Sequence, residues 1–169
     1  MCVSVGILKR ITDVIIEELT TPENVKRGEA FEDFVLEKFP EKYYELEYKT
    51  PRYGENKKRF IKKSKQPDFI FYHKPTKKKF AVECKNWKFF KNGKEWTTEE
   101  KLKEYREFEK RKGIKTFIVI GVGEDPKDPD EMFCIPLQDI GMTKMYRRFL
   151  EKYQRPPRKT FYFNGRELK

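Results

Sequence analysis

Two short stretches, QPDFIFY at residues 66–72 and FAVECKNWKFF at residues 80–90, carry the information that decides the fold. In the second stretch, apolar side chains recur at every second position from Phe80, whereas Glu83 and Lys85 lie on the opposite face. Alternation with a period of two is typical of a strand that buries one face. The first stretch has the pattern of a similar strand that opens with an acid, so the two together predict a β-hairpin.

The turn between these two strands determines which side chains face each other. If the turn centres on Pro75 and Thr76, Asp68 lies directly opposite Glu83. Opposed side chains in an antiparallel pair lie about 5 Å apart at Cβ, so two carboxylates placed there repel each other. A divalent cation removes this conflict, and Mg²⁺ prefers hard oxygen ligands. The hairpin register therefore predicts a metal site at Asp68 and Glu83.

Lys85 is expected on the same face of the strand as Glu83, one pleat repeat or about 7 Å further along. From there a lysine can stabilise negative charge on a phosphate or help to deprotonate an attacking water. Each residue by itself has an ordinary structural explanation, because acids after proline are common in turns and alternating Glu and Lys are common on solvated faces. The combination of Asp68, Glu83 and Lys85 at this spacing favours a phosphodiesterase site.

The composition limits the classes of function. The 169 residues predict a single domain, 1–169, and its net charge of +11 favours nucleic acid as a partner, although a solvated lysine coat also explains it. Cys2, Cys84 and Cys134 have no paired spacing and His73 is the only histidine, which excludes a disulfide framework and a two-histidine metal site.

Abundant Lys and Glu with sparse Gln and Asn are typical of hyperthermophile proteins. Without an apolar run of membrane-spanning length, we expect a cytoplasmic protein that binds no membrane.

Basic residues are concentrated in one segment. Between Lys49 and Lys65 eight basic residues accompany a single acid, with Tyr53 and Phe60 interleaved. This mixture suits a surface loop that follows a phosphate backbone, and the lysines at 77–79 are expected to help grip the duplex. The residues of the segment that we predict to bind nucleic acid are Arg52, Lys57, Lys58, Arg59, Lys62 and Lys63.

The pattern along the chain predicts alternating helices and strands. Helices are expected at 5–20, 23–39, 97–112 and 143–153, and strands at 44–49, 68–73, 79–85, 115–121, 132–137 and 161–163. Thr97 and Thr98 with the following acids predict the start of the third helix, and Gly113 predicts its end. We expect Trp87 to be a core residue rather than a base-stacking platform.

A family resemblance follows from these residues. PD at 67–68, then fourteen residues, then ECK at 83–85 resembles the motif of the PD-(D/E)XK nuclease superfamily. The order of predicted elements over about 23–123 is similar to the αβββαβ core of the restriction-endonuclease-like fold. The resemblance implies an α/β protein with a mixed central sheet flanked by helices, extended by an N-terminal helix and a C-terminal segment.

The first core helix adds a second resemblance. RGEAFEDFVLEKF, from residue 27, resembles the helix start of archaeal Holliday-junction resolvases and Mrr-type restriction enzymes. This resemblance implies a further metal-site glutamate at Glu32, with Glu29 as a substitute, and places Arg27 near incoming phosphate. Exonuclease-like members carry a Q-x-x-x-Y pattern, whereas this chain has Lys101 and Tyr105 at those positions.

Taken together, the resemblance implies an endodeoxyribonuclease, either resolvase-like or restriction-type. Mg²⁺ or Mn²⁺ would be held by Asp68, Glu83, the carbonyl of Cys84 and Glu32, with Lys85 completing the catalytic set and DNA as the substrate. Because resolvases generally act as symmetric dimers, a homodimer is expected for that subtype. The alternatives are a catalytically silent nucleic-acid-binding domain and a small structural or interaction protein.

Overall fold

The computed structural model describes residues 22–54 and 66–169. The helix predicted at 5–20, and Lys57, Lys58, Arg59, Lys62 and Lys63 of the basic segment, lie outside these ranges. The described elements, in chain order, are α1 (Glu23–Leu36), β1 (Tyr44–Lys49), β2 (Phe69–His73), β3 (Lys78–Trp87), β4 (Lys94–Glu95), α2 (Glu99–Lys112), β5 (Lys115–Val122), β6 (Glu131–Pro136), β7 (Lys144–Met145), α3 (Arg147–Leu150) and β8 (Gln154–Arg155).

Within residues 22–54 and 66–169, six strands form one mixed sheet in the order β1-β2-β3-β5-β6-β8, and β4 pairs with β7 in a separate two-stranded sheet. Strands β3 and β5 are parallel, while the other pairs are antiparallel. In the β2–β3 hairpin, Tyr72 pairs with Lys79 and Ile70 with Ala81. This is the register that the turn predicted, and continuing it by two residues brings Asp68 opposite Glu83.

The two longer helices cover opposite faces of the sheet. Alternate residues of β5 separate the core into two clusters, because Phe117 packs with the α1 cluster and Ile118 with the α2 cluster. Gly121 allows α1 to approach β5 closely, since a side chain at this position would overlap the Phe31 ring. The central strands are therefore buried on both faces, as expected for strands next to a parallel pair.

Double coverage corrects one expectation for β3. The alternating pattern predicted a strand with one solvated face, but every residue from Phe80 to Cys84 is buried. Glu83 is only 5% exposed, so it is not part of a solvated surface. The reason is the packing of α2, whose Tyr105 and Leu102 are buried in the cluster on that side of the sheet.

Helix α2 begins and ends as its sequence predicts. The Thr98 hydroxyl accepts a hydrogen bond from the backbone N–H of Lys101 at 3.2 Å, and Gly113 takes the left-handed conformation, with a φ of 63°, at the C-terminal end. A polar N-cap and a glycine at the C-terminus satisfy backbone groups that a helix leaves unpaired. None of the helices in the described ranges is both long and apolar enough to cross a membrane.

Two expectations for the C-terminal part need correction. The helix predicted at 143–153 begins only at Arg147, because Lys144–Met145 pairs with β4 instead and the Asn92 side chain accepts a hydrogen bond from the Arg147 N–H; it continues after Leu150 as a 3-10 helix, Glu151–Tyr153. The strand predicted at 161–163 is replaced by a single bridge between Phe163 and Leu168. The Tyr44 hydroxyl forms hydrogen bonds with two backbone groups of this segment: it donates to the Phe161 carbonyl and accepts from the Phe163 N–H, each at 3.0 Å.

Candidate active site

The residues predicted to carry the chemistry line one cleft of about 490 Å³. The cleft lies where α1 meets β3 and the segment that precedes β2. Its walls contain Glu29, Glu32, Asp68, Glu83, Cys84, Lys85, Asn86 and Arg52. A larger cavity of about 900 Å³ lies beside Phe39 and Tyr44 and includes none of the predicted catalytic residues. The predicted acids and lysine therefore come together in space, although they are separated by up to 53 positions in the sequence.

Asp68 is held by the backbone of the neighbouring strand. Its Oδ2 accepts a hydrogen bond from the Cys84 N–H at 2.8 Å. Burial, together with the negative charges of Glu83 and Glu32, raises the pKa of Asp68 well above its usual value, while Lys85 and the Cys84 N–H act in the opposite direction. Asp68 is thus placed where a carboxylate lacks sufficient positive charge around it.

Glu83 has two donors on one oxygen. Its Oε1 accepts hydrogen bonds from Lys85 Nζ at 2.7 Å and from the Tyr105 hydroxyl at 2.5 Å. Burial acts to lower the pKa of Lys85, but the charges of Glu83 and Asp68 outweigh it and raise the pKa, so the ammonium is held in its charged form. Burial and the Glu83 charge raise the pKa of Tyr105, which keeps the hydroxyl protonated as a donor.

Glu32 faces the same cleft from α1. Burial raises the pKa of Glu32 to about 7; Lys49 opposes this shift, and the charges of Glu83 and Glu29 add to it. Glu29, the alternative glutamate, accepts a hydrogen bond from the Tyr53 N–H at 2.8 Å. Of the two helix acids, Glu32 is therefore the one whose charge interacts with Glu83 and Asp68.

The donor chemistry of the cleft fits a hard divalent cation, although the ligands are not arranged around one. Within the described ranges, no group of three or more His, Cys, Asp or Glu side chains is close enough to hold a metal. The recorded hydrogen bonds of Asp68 and Glu83 involve one oxygen each, which leaves Asp68 Oδ1 and Glu83 Oε2 without a hydrogen-bond partner among the described residues. Carboxylate oxygens that lack a protein partner are ligands of the kind that Mg²⁺ prefers.

Arg27 and Arg52, two described residues predicted to bind nucleic acid, have partners within the fold. Arg27 donates to the backbone carbonyls of Gly123 and Glu124, which ties α1 to the loop after β5. Arg52 forms an ion pair with Asp33 at 2.5 Å. Their roles in phosphate binding stay predictions.

Sequence reasoning did not assign a role to Tyr105. Its position three residues after Leu102 and three before Phe108 indicated an inward-facing helix residue, and the side chain is indeed buried. The hydroxyl contact with Glu83 depends on how α2 docks against β3, which no local pattern reveals. Trp87 is buried and stacks with Phe90 at 5.8 Å between ring centroids, which confirms its predicted place in the core.

Comparison with solved structures identifies a similar fold. The chain is similar to Hjc, a Holliday junction resolvase from the archaeal hyperthermophile Archaeoglobus fulgidus, with a TM-score of 0.54 and 13% sequence identity. The similarity covers 75% of this chain and 93% of the resolvase chain. No protein-family model matches the sequence, and no curated protein matches it significantly. The structural similarity confirms the predicted restriction-endonuclease-like α/β fold and the resemblance to archaeal resolvases.

Proposed function

We propose that this protein is a divalent-metal-dependent endodeoxyribonuclease that hydrolyses DNA phosphodiester bonds. The observation that carries the proposal is the convergence of Glu32, Asp68, Glu83 and Lys85 in one cleft. A fold similar to that of a resolvase supports the same reaction class, and the net charge of +11 suits a polyanionic substrate. Placing several acids together in one cleft of a basic protein has little structural benefit, which favours a catalytic role.

The cleft residues would hold Mg²⁺ or Mn²⁺ through Asp68, Glu83, Glu32 and the carbonyl oxygen of Cys84. When bound, such an ion supplies positive charge to the scissile phosphate and lowers the pKa of a coordinated water. The side chains of Asp68 and Glu83 each retain one oxygen for this purpose. The Tyr105 hydroxyl and the Cys84 N–H meanwhile orient the two carboxylates through their other oxygens.

Lys85 acts as a positively charged hydrogen-bond donor in this proposal. Its raised pKa keeps the ammonium protonated, and its contact with Glu83 holds it at the cleft. A protonated lysine stabilises the negative charge that develops on the phosphate oxygens during in-line attack. Of the two roles that the sequence suggested for Lys85, charge stabilisation fits this arrangement better than proton abstraction.

Cleavage of a panel of labelled DNAs tests the proposed function. The panel contains single-stranded DNA, duplex, flap and four-way junction, each incubated with Mg²⁺, Mn²⁺ or EDTA. We expect metal-dependent cutting that is abolished in Glu83→Gln. The control is Glu109→Gln, because the Glu109 side chain likewise accepts a hydrogen bond, from the Thr116 N–H, but does not line the cleft.

The outcome of the panel also separates the alternatives. Binding without cutting under any metal would refute the nuclease and support a catalytically silent binding domain. Preferential cutting of four-way junctions would assign a resolvase-like subtype, for which sedimentation should report a homodimer. Preferential cutting of a particular duplex sequence would assign a restriction-type enzyme.

A further inference from the structure

The two-stranded sheet beyond the end of β3 carries exposed aromatic side chains beside basic ones. Phe89 is 69% exposed and Tyr146 is 45% exposed. The Lys94 ammonium lies 5.9 Å from the centre of the Phe89 ring. We refer to the following set as the β4–β7 surface: Phe89, Lys91, Lys94, Lys144, Tyr146 and Arg148.

A packed framework supports this surface from below. Trp87 stacks with Phe90, and Arg147 lies 4.7 Å from the centre of the Phe90 ring while it forms an ion pair with Glu131 at 2.6 Å. The Trp96 indole N–H donates to the Met142 carbonyl at 3.1 Å, which joins the segments on either side of the small sheet. Phe89 and Tyr146 are therefore presented to solvent by a defined scaffold.

The charges of the surface favour a polyanion. Lys91, Lys144 and Arg148 are exposed, and no salt bridge within 4.0 Å joins them to any carboxylate in the described ranges. Glu95 is the exposed acid within the small sheet. Exposed rings combined with cations form stacking platforms for single-stranded nucleic acid, whereas the bases of a duplex keep their faces covered. The expected partner is an unpaired nucleotide.

The surface lies close to the candidate active site along the chain. Strand β3 leads directly from Lys85 and Asn86 in the cleft to Trp87, and the Trp87 carbonyl accepts a hydrogen bond from the Gly123 N–H at 2.9 Å. Four residues span at most about 14 Å, so the Phe89 backbone lies within that distance of Lys85. At a rise of about 3.4 Å per nucleotide, this corresponds to about four base steps.

We propose that the β4–β7 surface binds unpaired bases of the DNA substrate a few nucleotides from the phosphate in the cleft. This inference rests on the proposed nuclease function and names its substrate class, which is duplex DNA interrupted by unpaired nucleotides. Phe89 stacks on an exposed base, while the neighbouring lysines and Arg148 contact the flanking phosphates.

Binding of two matched DNAs in EDTA tests the inference without cleavage. One DNA is a continuous duplex, and the other has the same sequence with a short bulge that contains the fluorescent base 2-aminopurine. We expect Phe89→Ala to weaken binding of the bulged DNA by about 5- to 150-fold and binding of the continuous duplex by less than about twofold. Wild-type protein and Phe89→Trp should quench the 2-aminopurine fluorescence, and Phe89→Ala should not.

The matched control is Tyr162→Ala, because Tyr162 is 66% exposed and also belongs to a lysine-rich region, in the C-terminal tail. Tyr146→Ala serves as a second test variant, and the melting temperature of each variant confirms that it folds. An equal loss on both DNAs, or the same loss in Tyr162→Ala, would overturn base stacking at this surface. A changed sedimentation mass in Phe89→Ala with unchanged DNA binding would assign the surface to a protein partner instead.

The same variants separate this inference from the proposed function. If the wild-type protein cuts DNA with Mg²⁺ but Phe89→Ala binds both DNAs as the wild type does, base binding at the β4–β7 surface is refuted and the proposed nuclease activity is supported. If the wild-type protein never cuts DNA, but Phe89→Ala binds bulged DNA more weakly than the wild type does, the proposed nuclease activity is refuted and base binding at the β4–β7 surface is supported.

Discussion

Tyr105→Phe isolates the contribution of one buried hydrogen bond to the candidate active site. The substitution removes the hydroxyl that donates to Glu83 Oε1 at 2.5 Å and keeps the buried ring in place. Glu83 then retains only Lys85 as a donor on that oxygen. We expect the carboxylate to lose its fixed orientation, so that Oε2 would no longer be positioned for the proposed cation.

The expected magnitude follows from the type of bond that is lost. A hydrogen bond to a charged group contributes about 1.5–3 kcal/mol. If that contribution is made in full in the transition state, the cleavage rate falls by about 10- to 150-fold. The free energy of unfolding should fall by no more than the same amount, about 1.5–3 kcal/mol, because the hydrogen bond is lost while the aromatic ring that packs beside Trp96, 6.1 Å away between centroids, is unchanged.

Single-turnover cleavage at saturating enzyme, measured over a range of Mg²⁺ concentrations, provides the assay. The control is Tyr153→Phe, because the Tyr153 hydroxyl also donates to a carboxylate, Asp139 at 3.2 Å, but outside the cleft. The control should cut at the wild-type rate. Wild-type cleavage and an unchanged Mg²⁺ requirement in Tyr105→Phe would refute the positioning role of Tyr105.

Two further predictions concern stability. Burial lowers the pKa of His73, whose value in the unfolded chain is about 6.5, so its stabilising contribution is present above pH 6.5 and is lost as pH falls through the lower folded-state pKa. The raised pKa values of Glu32 and Asp68 act in the opposite direction over the same range, so the measurement is a comparison: in urea unfolding between pH 5 and 7.5, the wild type should lose stability relative to His73→Gln as pH falls. Gly121→Ala places a methyl group against the Phe31 ring and should destabilise the fold by about 1–3 kcal/mol in urea unfolding, whereas Gly141→Ala, which has open space around it, should cost less than about 1 kcal/mol.

The local parts of the fold could be predicted from the sequence. The β2–β3 register follows from the turn at Pro75 and the period-two pattern, and these suffice to bring Asp68 opposite Glu83. The start of α2 at Thr98 and its end at Gly113 are likewise local, because capping depends on residues within one helical turn. The start of the helix predicted at 143–153 was wrong because it depends on distant residues: β7 pairs with β4, about 50 positions away.

Contacts across the sheet could not be predicted, because they depend on how helices dock. The alternating pattern of β3 is the same whether α2 covers the Glu83 face or leaves it in water. The guanidinium of Arg27 donates to the loop after β5, a contact between residues almost 100 positions apart that no local pattern indicates. The positions of the Tyr105 hydroxyl and of the exposed Phe89 ring could not be predicted either, since only the assembled structure shows where each side chain points.

The buried acids link the fold to the proposed chemistry. Strand β3 lies at the centre of a two-sided core, where apolar residues maximise stability, yet Glu83 and Lys85 occupy two of its positions. Isolated buried charges cost several kcal/mol unless they are paired, and Lys85 offsets only part of the negative charge of Glu32, Asp68 and Glu83. Burial, followed by the repulsion between these acids, raises the pKa values of Glu32 and Asp68, so the cleft disfavours their charged forms. A cation would supply positive charge, so the position at which the chain departs most from an apolar core is also the position at which metal binding would stabilise the folded protein.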